Sequence, residues 1–600
     1  MYTSLFSPEV VKIFQDAENL VGKTGGPFPS PADWRDKMIY FVMVDRFNNL
    51  NATPVHLPYD DPNYEMYQGG NFAGVREQLD YIKNLGAGAI WLSPVLKNLP
   101  WDKGSYHGYG IHDFLRAEPR FATNPANADT ELRDLVDAAH EKGLYVIFDI
   151  VLNHTGDVFQ YQGNSQPPFS STPLAIDWRD ETGSPVVADT DIALIKNPST
   201  DALVWPSELQ NNSYFRRQGE PDPKGNDTEG DFFSLKQMMT SDLDLQHVLI
   251  KAYQYILARF DPDGFRIDTL RYLKGNLAQV FGNAIREYAL ILGKKNFFTF
   301  GEVLDSDSES DIARFIGRNS QTGDDINSLV GVDAALDYPL YFTLVNAVKG
   351  LAPPTSVAGM YNRRKSVEQY ILSSHGDASR YFVTFLDNHD VKRRFRWVQP
   401  GNKNYFDDQV TLGFACLYFL PGIPCLYYGT EQGLHGFGDA DPAVREALWG
   451  IASTFPQDSF FYLALQQIAA IRNGEPALRY GRFYFRPVSG DGYNFGISNT
   501  TPGILAWSRI LNDEEVIVVA NTNTAQPVPV DVILEITLST PGKNVQILYS
   551  NKKTPTVPTQ VKEIMQANVT EIDGSAGNGP LHTTRVNLLP MEVQVIRVQA

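Results

Sequence analysis

The sequence predicts an α/β chain: an eight-stranded (β/α)8 barrel, interrupted after its third strand and followed by an antiparallel β-sandwich. Three observations predict it. Apolar runs of strand length recur between stretches of helical periodicity, which is the βαβ unit of a parallel sheet. They are MIYFVMVDR (38–46), AIWLSP (89–94), YVIFDIVLNH (145–154), GFRID (264–268), FFTFGE (297–302), VGVDAALDYPLYF (330–342), YFVTFLDNHD (381–390) and GIPCLYYG (422–429). Four of them carry polar residues at or just past the C-terminal end, where a parallel barrel places its chemistry. After Pro476 the helical pattern gives way to short β-rich runs such as VIVVANTN and VPVDVILEI, separated by turn residues.

Residues 1–36 hold one amphipathic helix, about Pro8 to Leu20, and a Gly- and Pro-rich linker. In the first βαβ unit, Phe72, Val75, Leu79, Ile82 and Leu85 fall at helical spacing between strands one and two. The loop after strand two, residues 98–114, is rich in aromatic and histidine residues, and its position makes Tyr106, His107 and Tyr109 candidate site residues. From Thr155 to Ser241 the rhythm stops in a stretch full of Pro, Gly, Asn and Ser, too long for a plain loop and therefore an inserted domain or a lid. Its Trp178 and Trp205 read as packing residues. Rhythm resumes at DLDLQHVLIKAYQYILARF (242–260), and the barrel ends with a helix over 459–473. The expected division is 1–36 extension, 37–154 and 242–475 barrel, 155–241 insertion and 476–600 sandwich.

Hydrophobic residues make up 43% of the 600 and aromatics 12%, enough for large cores. A net charge of −19 argues against nucleic acid or an anionic membrane as partner and leaves a neutral ligand open. Cys416 and Cys425 are too few for a disulfide framework or a CxxC site and read as buried thiols. The uncharged stretch from Thr411 to Gly429 is nearly of membrane length, but Pro421, Gly422 and Pro424 divide it into a buried helix and strand. MYTSLFSPEVVKIF lacks a basic start followed by an apolar run, so the expected location is the cytoplasm, with an already processed secreted form as the alternative. Oligomeric state is not legible.

The stretch GFRIDTLRY (264–272) organises the rest. A strand alternates its faces, so Arg266 and Asp268 share one wall. An arginine at that range lowers a carboxylate pKa by about 1 to 3 units, which suits Asp268 as a nucleophile. Glu302 and Asp390 close two further strands, and Asn153 and His154 close a fourth.

In ordered segments, DIVLNH (149–154), GFRIDTLRY, FGEV (300–303) and FLDNHD (385–390), supported by YHGY, GAIWLSPV, DLD and GIPCLYYGTE, the chain resembles the alpha-amylase family of retaining glycoside hydrolases over roughly residues 37–475. The resemblance implies a TIM-type barrel with an inserted domain B. It implies Asp268 as nucleophile, Glu302 as general acid and base, and Asp390 as the carboxylate that steadies the transition state. It makes His154 and His389 hydrogen-bond partners of the sugar and Tyr109 the ring beneath it, with His107, Arg266 and Arg271 as further substrate-binding residues. It implies an α-glucan or oligosaccharide substrate, cleavage of α-1,4-glucosidic bonds in starch-like glucans, and no organic cofactor. Transfer to a sugar acceptor, an unusual or cyclic oligosaccharide as substrate, and a non-catalytic sugar-binding relative are the alternatives. A structural Ca2+ is expected on Asn153, Asp242 and the main-chain oxygen of Tyr272. Arg271-Tyr272 stand where the family commonly has Lys-His. His140, His247 and His375 read as core histidines.

Overall fold

The computed structural model describes residues 2–55, 66–188, 191–222, 228–274, 276–304, 312, 315–316, 331–371, 382–436, 441–450 and 454–599. Eight parallel strands close into a barrel: β1 Ile39–Val42, β2 Ala89–Leu92, β3 Tyr145–Val151, β4 Gly264–Asp268, β5 Phe298–Gly301, β6 Ala334–Leu336, β7 Phe382–Thr384 and β8 Ile423–Tyr427. Each pairs with its neighbours in chain order and β1 closes on β8, with Ile39 opposite Cys425. The strands are short and buried on both faces, as apolar runs capped by polar residues require.

Three strands are shorter than the sequence suggests. β1 ends at Val42, and Val44–Phe47 coil into a helical turn around the buried pair Asp45–Arg46, whose Oδ2 and Nε stand 3.0 Å apart. β6 covers only Ala334–Leu336, because Asp337 caps a helix, Tyr338–Val348, that starts at once; Val330 lies outside the described residues. β7 covers only Phe382–Thr384, so FLDNHD is a loop. The helix of the first βαβ unit is two helices, Phe72–Glu77 and Leu79–Asn84, meeting at Gln78, and all five expected apolar residues are buried.

The 242–260 segment is one helix, Leu243–Phe260, capped by Asp242 and stopped by Asp261 in the left-handed conformation (φ 59°) ahead of Pro262. That stop lets Gly264 enter β4. The N-terminal helix Pro8–Asn19 buries Val10, Phe14 and Ala17 and packs on it. Within the insertion, Phe159–Tyr161, Ile176–Arg179 and Pro185–Ala188 form a three-stranded sheet, and Lys236–Gln237 pair antiparallel with His154–Thr155 at the end of β3. Trp178 and Trp205 are buried there.

The C-terminal residues form a five-stranded sheet packed on a second sheet that closes on itself, with Ile504, Ile517 and Ile596 of one meeting Val532, Val586 and Leu588 of the other. One pairing in it, Asn494–Gly496 with Lys562–Thr570, runs parallel. Trp507 and Arg509 join it to the barrel by donating to the Phe419 carbonyl at 3.3 Å each. Cys416 and Cys425 are free and buried. The helix Asp407–Phe419 and β8 divide the 411–429 stretch as expected, and no helix among the described residues is long and apolar enough to cross a membrane.

Candidate active site

Arg266 is fully buried at the centre of the barrel's C-terminal end. Register places it opposite Asp149 of β3, and alternation places it on the face of Asp268. Its Nη1 stands 2.9 Å from Asp149 Oδ1 and 2.9 Å from Asp268 Oδ1, while Nη2 stands 2.8 Å from Glu302 Oε2, one residue past β5. One planar fork thus holds carboxylates from three adjacent strands.

Just past Asp268 the backbone turns left-handed at Thr269 (φ 49°), an unfavourable conformation for a β-branched residue. The turn aims the Thr269 N–H at Glu302 Oε2, 3.2 Å away. From the other side Tyr338 Oη donates to Glu302 Oε1 at 3.4 Å and accepts from Asn388 Nδ2 at 3.4 Å. Asn388 Oδ1 in turn accepts the Asp390 N–H at 2.8 Å. Asp390 lies 3.1 Å from His389 Nε2 and 2.8 Å from Arg445 Nη2. The three predicted catalytic acids therefore meet at one rim.

The histidines and Tyr109 enclose the same space. Tyr109 Oη bonds Asp149 Oδ2 at 2.9 Å and His389 Nε2 at 2.6 Å, and its ring stacks near those of His389 and His107. His154 Nε2 lies 3.9 Å from Asp268 Oδ2, and neither ring nitrogen of this buried histidine has a hydrogen-bond partner. A buried polar atom usually finds a partner, so these nitrogens, with the unpartnered Nδ1 of His389 nearby, mark a place for ligand hydroxyls. Arg271 is half-buried at the rim, its guanidinium 5.8 Å from the Tyr272 ring centre, and its backbone N–H reaches the Glu302 carbonyl at 3.4 Å.

Burial dominates the electrostatics. It pushes the Asp149 carboxyl up to about 7, against the pull of Arg266. It also raises Asp268 well above the usual carboxylate range, with Arg266 opposing and Glu302, Asp149 and Asp390 adding to the rise. The expectation that Arg266 leaves Asp268 with a lowered pKa is thus corrected: one cation shared among several buried acids does not offset their desolvation. Burial lowers His154 to about 3, and lowers His107 and His389 well below the usual range, with Arg445 contributing to both. All three rings are neutral near pH 7.

Other expectations change. Tyr106 is buried beneath the Arg46 guanidinium, 3.9 Å from its ring centre, and is no open platform. His140 is a core histidine, 2.8 Å from Asp263, but His247 is exposed, and His375 lies outside the described residues. The residues expected to hold calcium have protein partners instead. Asn153 Oδ1 accepts from Gln237 Nε2 at 3.2 Å, and Asp242 Oδ1 accepts the N–H groups of Asp244 and Leu245. Calcium wants six to eight oxygens, and here Asn153 Oδ1 faces the N–H groups of an amide and Asp242 Oδ1 faces two backbone N–H groups, so two of the expected oxygens are already turned to hydrogen-bond donors and this donor set does not fit it.

Sequence reasoning missed Asp149, Trp91, Tyr338 and Arg445. Trp91 Nε1 donates to Asp149 Oδ2 at 3.1 Å. Asp149 carried a signal, an acid in the middle of an apolar strand. Arg445 carried none, since it approaches Asp390 from the loop after β8.

Three comparisons place this geometry. The model of the alpha amylase catalytic domain matches residues 41–458. An alpha-amylase of Streptomyces lividans is 28% identical over 485 residues, covering 73% of this chain and 50% of the relative. A cyclomaltodextrin glucanotransferase of Klebsiella oxytoca is 24% identical over 543 residues, covering 83% and 72%. The chain spans about half the length of the first curated relatives it matches. The fold matches the crystal structure of an alpha-amylase from Geobacillus thermoleovorans complexed with acarbose at a TM-score of 0.64 and 24% identity, over 95% of this chain and 100% of that one.

Proposed function

Because the chain belongs to the alpha-amylase family, we propose that it cleaves α-1,4-glucosidic bonds of starch-like glucans or maltooligosaccharides with retention of configuration. The observation that carries the reading is the single guanidinium of Arg266 between Asp268 and Glu302, beside a histidine with both nitrogens unpartnered. Retaining hydrolysis needs two carboxyl groups about 5 to 5.5 Å apart, one ionised and one protonated.

Asp268 attacks the anomeric carbon while the bond to the leaving oxygen breaks and Glu302 gives that oxygen its proton. A glycosyl ester on Asp268 results. Water then attacks the same carbon, Glu302 takes its proton back, and Asp268 leaves as carboxylate. Arg266 receives the negative charge of whichever acid is ionised. Neutral His154 and His389 offer hydrogen bonds to sugar hydroxyls, Tyr109 lies beneath the ring, and Asp390 faces the positive charge that develops on it. Reducing-sugar release from maltoheptaose and soluble starch tests this: Asp268→Asn loses activity by orders of magnitude, and equal rates for the two proteins end the proposal.

Transfer to a second sugar is the other reading, and Phe233 favours it. This residue is 83% exposed and left-handed (φ 51°), at the tip of a turn whose neighbour Phe232 packs by His154 and Tyr272. A strained, solvent-facing aromatic at the mouth suits stacking of an acceptor sugar. Chromatography of maltoheptaose products separates the readings, since chains longer than the substrate appear only with transfer.

A further inference from the structure

We propose that the joint between the insertion and the barrel is closed by the protein's own amide and ammonium groups, Gln237 and Lys274 standing where a divalent cation would be required. Gln237 is buried between the two parts. Its Oε1 accepts the Gly230 N–H at 2.7 Å, and since a backbone nitrogen only donates, this fixes the amide's orientation. Nε2 must then face the other way, where it donates to Asn153 Oδ1 at the end of β3 (3.2 Å) and to the Thr228 carbonyl of the insertion (3.0 Å). One carboxamide uses both protons to bridge two oxygens that face each other across the joint.

Lys274 reinforces the bridge from the barrel side. It lies two residues past Tyr272, its N–H donates to Thr240 Oγ1 at 2.9 Å, and its ammonium bonds Thr228 Oγ1 and stands 3.8 Å from Glu229. Among the described residues, three carboxylates around the joint already have cationic partners. Glu229 lies 3.2 Å from Arg216, while Asp157 and Asp231 share Lys236 at 3.2 and 3.6 Å. Asp242 caps its helix. A calcium ion here would have to displace the Gln237 amide and sit beside a lysine bonded to the same threonine, against like charge.

The test uses the full chain and needs no substrate. Metal content is measured by mass spectrometry after gel filtration in chelator-free buffer, and Tm is recorded in EGTA and in calcium chloride. The wild type is expected to carry far less than one calcium per chain and to show one Tm in both. Near-stoichiometric calcium, or a Tm that EGTA lowers and calcium restores, overturns the proposal. Gln237→Glu places a carboxylate against the two bridged oxygens. Its Tm is expected to fall in EGTA and to recover with calcium, and a variant indifferent to calcium also counts against the idea. Lys274→Met leaves Gln237 in place and is expected to lose the same few degrees in both buffers; a loss that calcium reverses overturns the assignment.

Discussion

Replacing Asp149 with Asn removes a charge while keeping a shape. Asp149 is 1% exposed, and burial pushes its carboxyl from 3.8 up to about 7 against the pull of Arg266. Between those values the folded chain holds a proton here that the unfolded chain has lost. Stability therefore falls as pH rises from about 4, and the loss is complete above about 7, where both forms are ionised. At about 1.36 kcal/mol per pH unit, the span from 3.8 to about 7 amounts to about 4 kcal/mol, of which about 3 kcal/mol fall between pH 5 and 8. Asn cannot ionise and escapes this loss. If roughly 440 residues of barrel and insertion unfold together at about 2.1 cal/mol/K per residue, 3 kcal/mol corresponds to about 3 °C in Tm. Calorimetry of wild type and D149N at pH 5 and pH 8 measures it, and any constant cost of the lost hydrogen bonds cancels in the comparison. The Tm of D149N relative to wild type should rise by about 3 °C from pH 5 to pH 8. A difference that stays level or moves the other way refutes the reasoning.

Arg266→Met leaves Asp149, Asp268 and Glu302 buried without their cation. It should cost about 3 to 5 kcal/mol of stability and roughly a thousandfold in kcat, and glucan hydrolysis within tenfold of wild type would contradict the site as drawn. Arg445→Met removes a charge-assisted bond to Asp390, worth about 1.5 to 3 kcal/mol, and should lower kcat about ten- to a hundredfold with partial rescue by Arg445→Lys; an unchanged kcat rejects the role. Lys294→Met, at the opposite end of the barrel, uncovers Asp261 and Asp263, each 2.8 Å from its ammonium. It should lower Tm sharply while kcat per folded molecule stays put, and a proportionate loss of kcat would break that division between the two ends.

Barrel, insertion and C-terminal sheets were all legible in the sequence, because apolar runs ending in polar residues have few other meanings. Strand lengths were not. β6 stops at Leu336 because Asp337 caps a helix whose first residues, Tyr338 and Pro339, are apolar enough to pass for more strand. Asp268, Glu302, Asp390 and the histidines were legible through strand alternation and the family's segments. Arg445 was not, since a contact between the loops after β7 and β8 leaves no periodic trace. The direction of Asp268's shift was misjudged for a related reason: the Arg266–Asp268 pair on one strand is visible in sequence, but the burial that outweighs it and the Asp149 carboxylate arriving from β3 to share the same cation are not. The calcium expectation rested on residue matches, and Gln237, whose amide faces Asn153 Oδ1, lies outside the matched segments.

The three acids belong to β4, β5 and the loop after β7, bound to one another through a single guanidinium and a tyrosine from the helix after β6. No fragment that stops short of strand seven contains them all. Catalytic recovery during refolding is therefore a clock for the last strands docking on the first. It can start ticking before the distal sheets have assembled, which makes turnover and far-ultraviolet signal separable readings of one event sequence.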